Sequence, residues 1–110
     1  EFMEFINLTP HDVHIMPEGK EEVFIPASGQ CARCEVKEEL CGYIGDIAIY
    51  HTSYGKVYDL PEPKEGVYYL VSTIVANACK GQRDDLLVPF DFIRDESGNI
   101  IGCKSLSKVQ

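Results

Sequence analysis

Two cysteines three positions apart, Cys31 and Cys34, have the spacing of a metal knuckle or a redox pair. A structural zinc site needs four ligands, and the sequence contains no second pair of this kind. Redox thiols usually lie at a helix N-terminus, whereas these two fall in a predicted strand. Because residues three apart on a strand point to opposite faces, we interpret them as two separate thiols and expect no metal site.

The histidines offer a second possible site. His11 and His14 are three positions apart, but His11 lies in a predicted loop after Pro10 and His14 in the next strand. A metal site would also need His51, from a distant part of the chain. His11 alone is a better candidate, because loops often carry binding groups. The alternative is a structural hydrogen bond from His11 to its own loop.

The charged segment Arg83-Asp84-Asp85 has two interpretations. Paired acids in a loop can hold a divalent ion, and the same residues can form a solvated turn with an internal ion pair. The sequence contains no nucleophile elbow, no P-loop and no Rossmann glycine pattern. No reaction is therefore specified by a motif, and we expect no cofactor.

The best physical candidate for a site is the junction between a predicted core strand, Val67–Val71, and a short helix beginning at Ser72. A helix N-terminus presents free amides that suit a phosphate or carboxylate, and Ser72 and Thr73 add hydroxyls. Two cations and two aromatic residues could complete the site: Arg33, Arg83, Tyr54 and Tyr69. The alternative is that Ser72 is an ordinary helix cap and both arginines lie on the surface.

The elements that must position these residues are mostly strands. Period-2 alternation and turn residues predict seven or eight short strands, and a helix is predicted only between Ser72 and Lys80-Gly81. The predicted strands cover residues 3–8, 12–16, 22–25, 31–37, 47–50, 67–71, 90–94 and 99–103, with Tyr54-Gly55 as a turn and Leu60–Gly66 as a loop. The expected fold is mainly β (α+β), a curled sheet or small barrel with one short helix.

Composition narrows the class of protein. The 110 residues suffice for one domain, and we interpret Glu1-Phe2 as a cloning scar, leaving residues 3–110 as a single ligand-binding domain. The 18 acids and 10 bases give a net charge of -8, or -7 without Glu1, which disfavours nucleic acid polymers and anionic membranes as partners. Five cysteines without a framework indicate free thiols and a cytoplasmic location.

Several short motifs together resemble a family of small, uncharacterised proteins from phages, prophages and bacteria. The likeness extends from Ile6 to Leu106. It is carried by Asn7-Leu8-Thr9-Pro10-His11, Tyr54-Gly55, Leu60-Pro61-Glu62-Pro63, Tyr69-Leu70-Val71-Ser72 and Arg83-Asp84-Asp85.

The resemblance implies a context. Small phage proteins without an enzyme signature often act against host defence, by sequestering a nucleotide signal or blocking a defence protein. The polar residues that would then form the pocket are Asn7, Thr9, His11, Arg33, Ser72, Arg83, Asp84 and Asp85.

The favoured hypothesis is a homo-oligomeric sponge that binds a small nucleotide-derived signal in the host cytoplasm without turning it over. Three alternatives stay open. One is a module that blocks a partner protein, and another is a nucleotide hydrolase or lyase using His11 with Asp84 or Asp85. The third is a purely structural role.

Overall fold

The computed structural model describes residues 3–109 of the chain, which contain eight strands and one helix. The expected mainly β fold with one short helix is confirmed, and the Glu1-Phe2 interpretation lies outside the described residues. The elements are β1 (Glu4–Asn7), β2 (Val13–Ile15), β3 (Val23–Ile25), β4 (Arg33–Ile44), β5 (Ile47–Tyr58), β6 (Val67–Leu70), α1 (Thr73–Ala78), β7 (Leu86–Arg94) and β8 (Ile100–Ser107).

Six of the strands form one curled sheet in the order β1-β6-β7-β8-β2-β3. The β1–β6, β6–β7 and β2–β8 pairs are parallel, whereas β7–β8 and β2–β3 are the antiparallel hairpins that the turn residues predict. The two edges nearly meet, because the Ser28 amide donates to the Asn7 carbonyl at 3.0 Å and Asn7 bridges Ala27. The sheet is therefore almost a closed barrel.

β6 is the centre of the fold and is buried on both faces, as its continuous apolar sequence predicts. Leu70 contributes to a cluster inside the curled sheet with Ile15 and Cys103. Tyr69 and Val71 belong to a second cluster that extends to α1. The chain then enters α1 directly, and the Ser72 hydroxyl caps it by accepting a 3.2 Å hydrogen bond from the Val75 amide.

β4 and β5 form a separate two-stranded hairpin, here called the arm, that comprises residues 33–58. The predicted strands at 31–37 and 47–50 overlap these much longer strands, but Cys31 and Ala32 precede β4. The predicted turn at Tyr54-Gly55 is wrong because both residues lie within β5. The chain reverses instead at Gly45-Asp46, with Gly45 at φ 60°. The register of the arm shifts beside Cys34 and Leu40, where β-bulges let the two long strands stay paired.

The arm gives the chain an elongated shape. The molecule extends over 53 × 39 × 24 Å with a radius of gyration of 16.6 Å. A compact chain of this length has a radius of gyration of about 13 Å. At its base the arm packs on α1, where Cys34 and Val57 join the core cluster. In residues 3–109, no helix is long and apolar enough to cross a membrane.

Candidate functional site

A half-open cavity of about 710 Å³ lies where the loop after β1, the β6–α1 junction and the β7–β8 hairpin meet. Its polar lining comes from the first two of these segments, and its apolar wall comes mainly from the third. The lining residues are Thr9, Pro10, His11, Asp12, Val13, His14, Val71, Ser72, Thr73, Pro89, Phe92, Ile100, Ile101, Gly102 and Cys103.

Four residues predicted from the sequence meet at this cavity: Thr9, His11, Ser72 and Thr73. The fold brings them together because β1 runs parallel to β6, so that the segments following these two strands emerge at the same end of the sheet. The Leu8 amide donates to the Leu70 carbonyl at 2.8 Å and continues this pairing toward the cavity. The His11 imidazole makes no hydrogen bond to any residue in the described range 3–109, so it is available to a ligand.

Asn7 holds the loop that carries His11. Its side chain donates to the carbonyls of His11 at 2.8 Å and Ile25 at 3.1 Å. Its Oδ1 accepts from the amide of Thr9 at 3.0 Å and from the Thr9 hydroxyl at 2.7 Å. These four bonds use the full hydrogen-bonding capacity of a buried amide, which is 1% exposed. Asn7 therefore shapes the cavity rim from behind.

The other two ionisable groups of the polar rim already have partners. The Asp12 carboxylate accepts a hydrogen bond from the Ala27 amide at 2.8 Å. The His14 Nε2 lies 2.8 Å from the Glu22 carboxylate. Both contacts attach this rim to the segment around β3. Of the three ionisable residues on this rim, His11 is therefore the one without a protein partner among the described residues.

The opposite wall of the cavity is apolar. Phe92, Ile100 and Ile101 are each 50% exposed and line it together with Val71 and Pro89. The lining contains neither lysine nor arginine among the described residues. The Cys103 thiol lies at the back, where burial raises its pKa and keeps it protonated. The wall suits a planar or apolar group, and the polar rim suits hydroxyls.

Arg33 lies at a different place, in an open cleft of about 680 Å³ at the base of the arm. Its guanidinium is 3.7 Å from the Asp59 carboxylate, and both side chains are mostly exposed. The cleft is otherwise formed by the segments on either side of the arm, residues 29–31 and 60–61. The sequence placed Arg33 with Ser72, but the two residues line separate depressions.

Arg83 and Asp85 form a partly buried ion pair, one of the two interpretations of the Arg83-Asp84-Asp85 segment. The guanidinium donates from Nε and from a terminal nitrogen to the two carboxylate oxygens, at 2.8 Å each. A further bond goes to the Pro61 carbonyl at 2.9 Å. This pairing lowers the pKa of Asp85 and raises that of Arg83. Asp84 is exposed beside them.

The two predicted stacking residues are also apart from the cavity. Tyr69 is 4% exposed in the core, and its hydroxyl is 3.5 Å from the Glu62 carbonyl. Tyr54 is on the arm. Whether Asn7, Arg33, Tyr54, Tyr69, Arg83, Asp84 or Asp85 contacts a ligand stays a prediction.

Sequence reasoning missed the apolar wall. The pattern Phe90-Asp91-Phe92 and the pair Ile100-Ile101 were interpreted only as strands of a hairpin. Large apolar residues at successive positions of one strand were the available signal, because both faces of a surface hairpin cannot be covered by one core. No group of three or more metal-ligating side chains occurs in the described residues.

Comparison of the chain with protein-family models, curated proteins and solved structures gave no match.

Proposed function

We propose that this protein binds a small nucleotide-derived molecule in the cavity beside His11 and holds it without turnover. The observation that carries the proposal is the combination of one apolar wall with a rim of hydroxyls and an unpartnered imidazole. Ligand sites commonly measure about 300–1,000 Å³ and combine apolar walls with a few placed polar groups. A volume of about 710 Å³ is within this range.

The chemistry of the two sides favours a nucleoside portion. A planar base would pack against Phe92 and the adjacent isoleucines, as aromatic rings do on apolar walls. The Thr73 hydroxyl and the His11 imidazole can exchange hydrogen bonds with ribose or base edges, whereas the Thr9 hydroxyl, which donates its proton to Asn7 Oδ1, can only accept. Because the lining offers no cationic Lys or Arg in the described chain, any phosphate would lie toward the solvent or against backbone amides.

Binding without turnover is favoured by the state of the ionisable groups. In many acid–base sites a second ionisable group orients or activates the first. Asp12 and His14 are engaged by Ala27 and Glu22, and Asp85 is held by Arg83 away from the cavity lining. His11 is thus left without a catalytic partner among the described residues. The role that follows is sequestration of a signal in the cytoplasm, as in a phage counter-defence sponge.

The test is a thermal-shift screen against nucleosides, ADP-ribose derivatives and cyclic oligonucleotides, followed by calorimetry on each compound that stabilises the protein. His11→Ala and Phe92→Ala are each expected to weaken binding about tenfold, equivalent to about 1.4 kcal/mol. His51→Ala, on the arm, removes an exposed histidine and is the matched control that should leave affinity unchanged.

Chromatography of the released compound separates binding from catalysis. The proposal expects the compound to be recovered intact after prolonged incubation with the protein. It is wrong if no compound raises the melting temperature, if the His11 and Phe92 variants bind like the unchanged protein, or if the compound is converted.

A further inference from the structure

One face of the arm is apolar and uncovered. The cross-strand pairs Val36–Tyr54 and Leu40–Tyr50 lie on this face, separated by the pair Glu38–Thr52. The alternate positions, including Glu39 and His51, lie on the other face. In a chain this small, a strand face with four large apolar residues is expected to lie against a core. Here those four side chains are between 42% and 60% exposed.

The tip of the arm adds further apolar surface. Tyr43, Ile44 and Ile47 are 66–70% exposed, and Ile49 is 37% exposed. By alternation along β5 from Tyr50, Tyr43 (paired with Ala48) lies on the same face as Tyr50, whereas Ile44, Ile47 and Ile49 lie on the opposite face. Taking about 200 Å² for a large side chain, Val36, Leu40, Tyr43, Tyr50 and Tyr54 expose on the order of 500 Å² on one face. Two such faces packed together bury on the order of 1,000 Å² in total, which is the size from which a specific interface is expected.

The arm also lacks support from its own chain. Only its base packs on α1, and neither outer edge of β4 or β5 is paired with a third strand in residues 3–109. An isolated two-stranded hairpin is marginally stable in water. Long exposed strand edges with apolar side chains pair readily with another strand. A covering partner would therefore stabilise the arm itself.

The distribution of charge favours a second copy as that partner. The arm, residues 33–58, carries three basic and four acidic side chains, a net charge of -1. The whole chain has a net charge of -8, so the remaining residues carry -7. Two copies that meet through their arms keep their acidic bodies apart, whereas contact through the bodies would bring like charges together. The apolar face itself contains the single charge of Glu38, which limits repulsion between two such faces.

We propose that two copies of this chain associate through their arms, with the Val36, Leu40, Tyr50 and Tyr54 face of one copy packed on the same face of the other. Such an isologous contact is self-complementary and closes on itself, so it produces a dimer. It covers the apolar face of both arms at once. The contact is independent of the cavity beside His11 and does not rest on its ligand.

The test is sedimentation velocity of the full chain at micromolar concentration in moderate salt. The expected species has twice the chain mass of 12.3 kDa. The double variant Leu40→Thr/Tyr50→Thr keeps β-branched residues in the strands but removes an apolar pair from the interface. Its dimer dissociation constant is expected to rise at least tenfold. The matched control is Glu39→Thr/His51→Thr, the next pair along the same strands but on the opposite face, which should remain dimeric.

A second variant tests whether a loss of the dimer comes from removal of the apolar face or from local unfolding of the arm. Replacing residues 39–51 by Asn-Gly joins Glu38 to Thr52 through a two-residue turn and leaves the base contacts of Cys34 and Val57 in place. This shortened chain should be folded by circular dichroism and monomeric. A wild-type chain that sediments as a monomer overturns the proposal. So does a dimer that survives both the Leu40/Tyr50 variant and the shortened arm.

Discussion

The Arg83 guanidinium donates two hydrogen bonds of 2.8 Å to the Asp85 carboxylate and a third, of 2.9 Å, to the Pro61 carbonyl. The side chains of the pair are only 14% and 10% exposed. The pair ties the start of β7 to the proline-containing loop after the arm. Because the Tyr69 amide donates to the Asp85 carbonyl at 2.9 Å, the same residue also aligns β6 with β7. The Arg83–Asp85 pair therefore supports the central strand.

Asp85→Asn is expected to lower the free energy of unfolding by about 2 kcal/mol, because it leaves the guanidinium of Arg83 partly buried without its counter-charge. Urea unfolding followed by circular dichroism measures the change. Asp84→Asn is the matched control: the same chemical change at an exposed neighbour should cost less than about 0.5 kcal/mol. Equal effects of the two substitutions would show that the pair contributes nothing specific.

The pH dependence of stability follows from the same pair. The Arg83 hydrogen bonds lower the pKa of Asp85 in the folded state below its ordinary value of 3.8. A carboxyl group of this kind contributes its full stabilisation above its unfolded pKa, and the contribution is lost as the pH falls through the folded pKa. Unfolding midpoints of the native chain should therefore decline below about pH 4.

The comparison with Asp85→Asn isolates this contribution from other acids. Asp95 also has a lowered pKa, mainly because its carboxylate accepts a hydrogen bond from the Asn99 amide. Both chains retain Asp95, so its effect cancels in the difference between them. The difference in unfolding free energy should shrink as the pH falls from about 6 to about 3. A difference that stays constant over this range would contradict the role assigned to Asp85.

Local signals predicted most of the barrel correctly. The β2–β3 and β7–β8 hairpins, the buried β6 and the Ser72 cap follow from alternation, turn residues and helix-start chemistry, all of which act over a few neighbouring positions. The two strands of the arm were predicted too short because Lys37 to Leu40 was interpreted as a polar run and Tyr54-Gly55 as a turn, and both features normally end strands. In a hairpin that projects from the core, polar residues on the solvent side cost little, so β4 and β5 continue through them.

Part of the candidate site could also be predicted from local sequence signals. Thr9 and His11 follow β1 and Ser72 follows β6, and each was identified by its own loop or cap chemistry. Their meeting depends on the parallel pairing of β1 with β6, two strands some sixty residues apart in sequence, which no local pattern encodes. Arg83 was grouped with them because it is a cation that follows the helix closely in sequence and could fold back toward the helix start. In the structure the Arg83 guanidinium instead pairs with the Asp85 carboxylate.

Gly102 allows β2 to cross close to β8, and its substitution is expected to destabilise the barrel. A Cβ at this position would lie 2.8 Å from the His14 carbonyl oxygen and would also overlap the terminal methyl of Met16. Gly102→Ala should therefore lower the free energy of unfolding by about 1–3 kcal/mol through overpacking. The Met16 side chain can move, whereas the His14 carbonyl belongs to the backbone of β2. Denaturant unfolding of the variant measures the loss.

A double-mutant cycle with Met16→Ala separates the two contacts. Removing the Met16 methyl should recover part of the Gly102→Ala loss, with a coupling of about 0.5–1 kcal/mol, and the remainder belongs to the His14 carbonyl. Gly55→Ala in the arm is the control, because the three atoms nearest to its Cβ would all belong to the exposed Glu35 side chain, the closest at 3.1 Å. Its cost should be smaller than that of Gly102→Ala. If Gly102→Ala is neutral, β2 can shift away from β8 freely, and the close crossing is not a constraint on this fold.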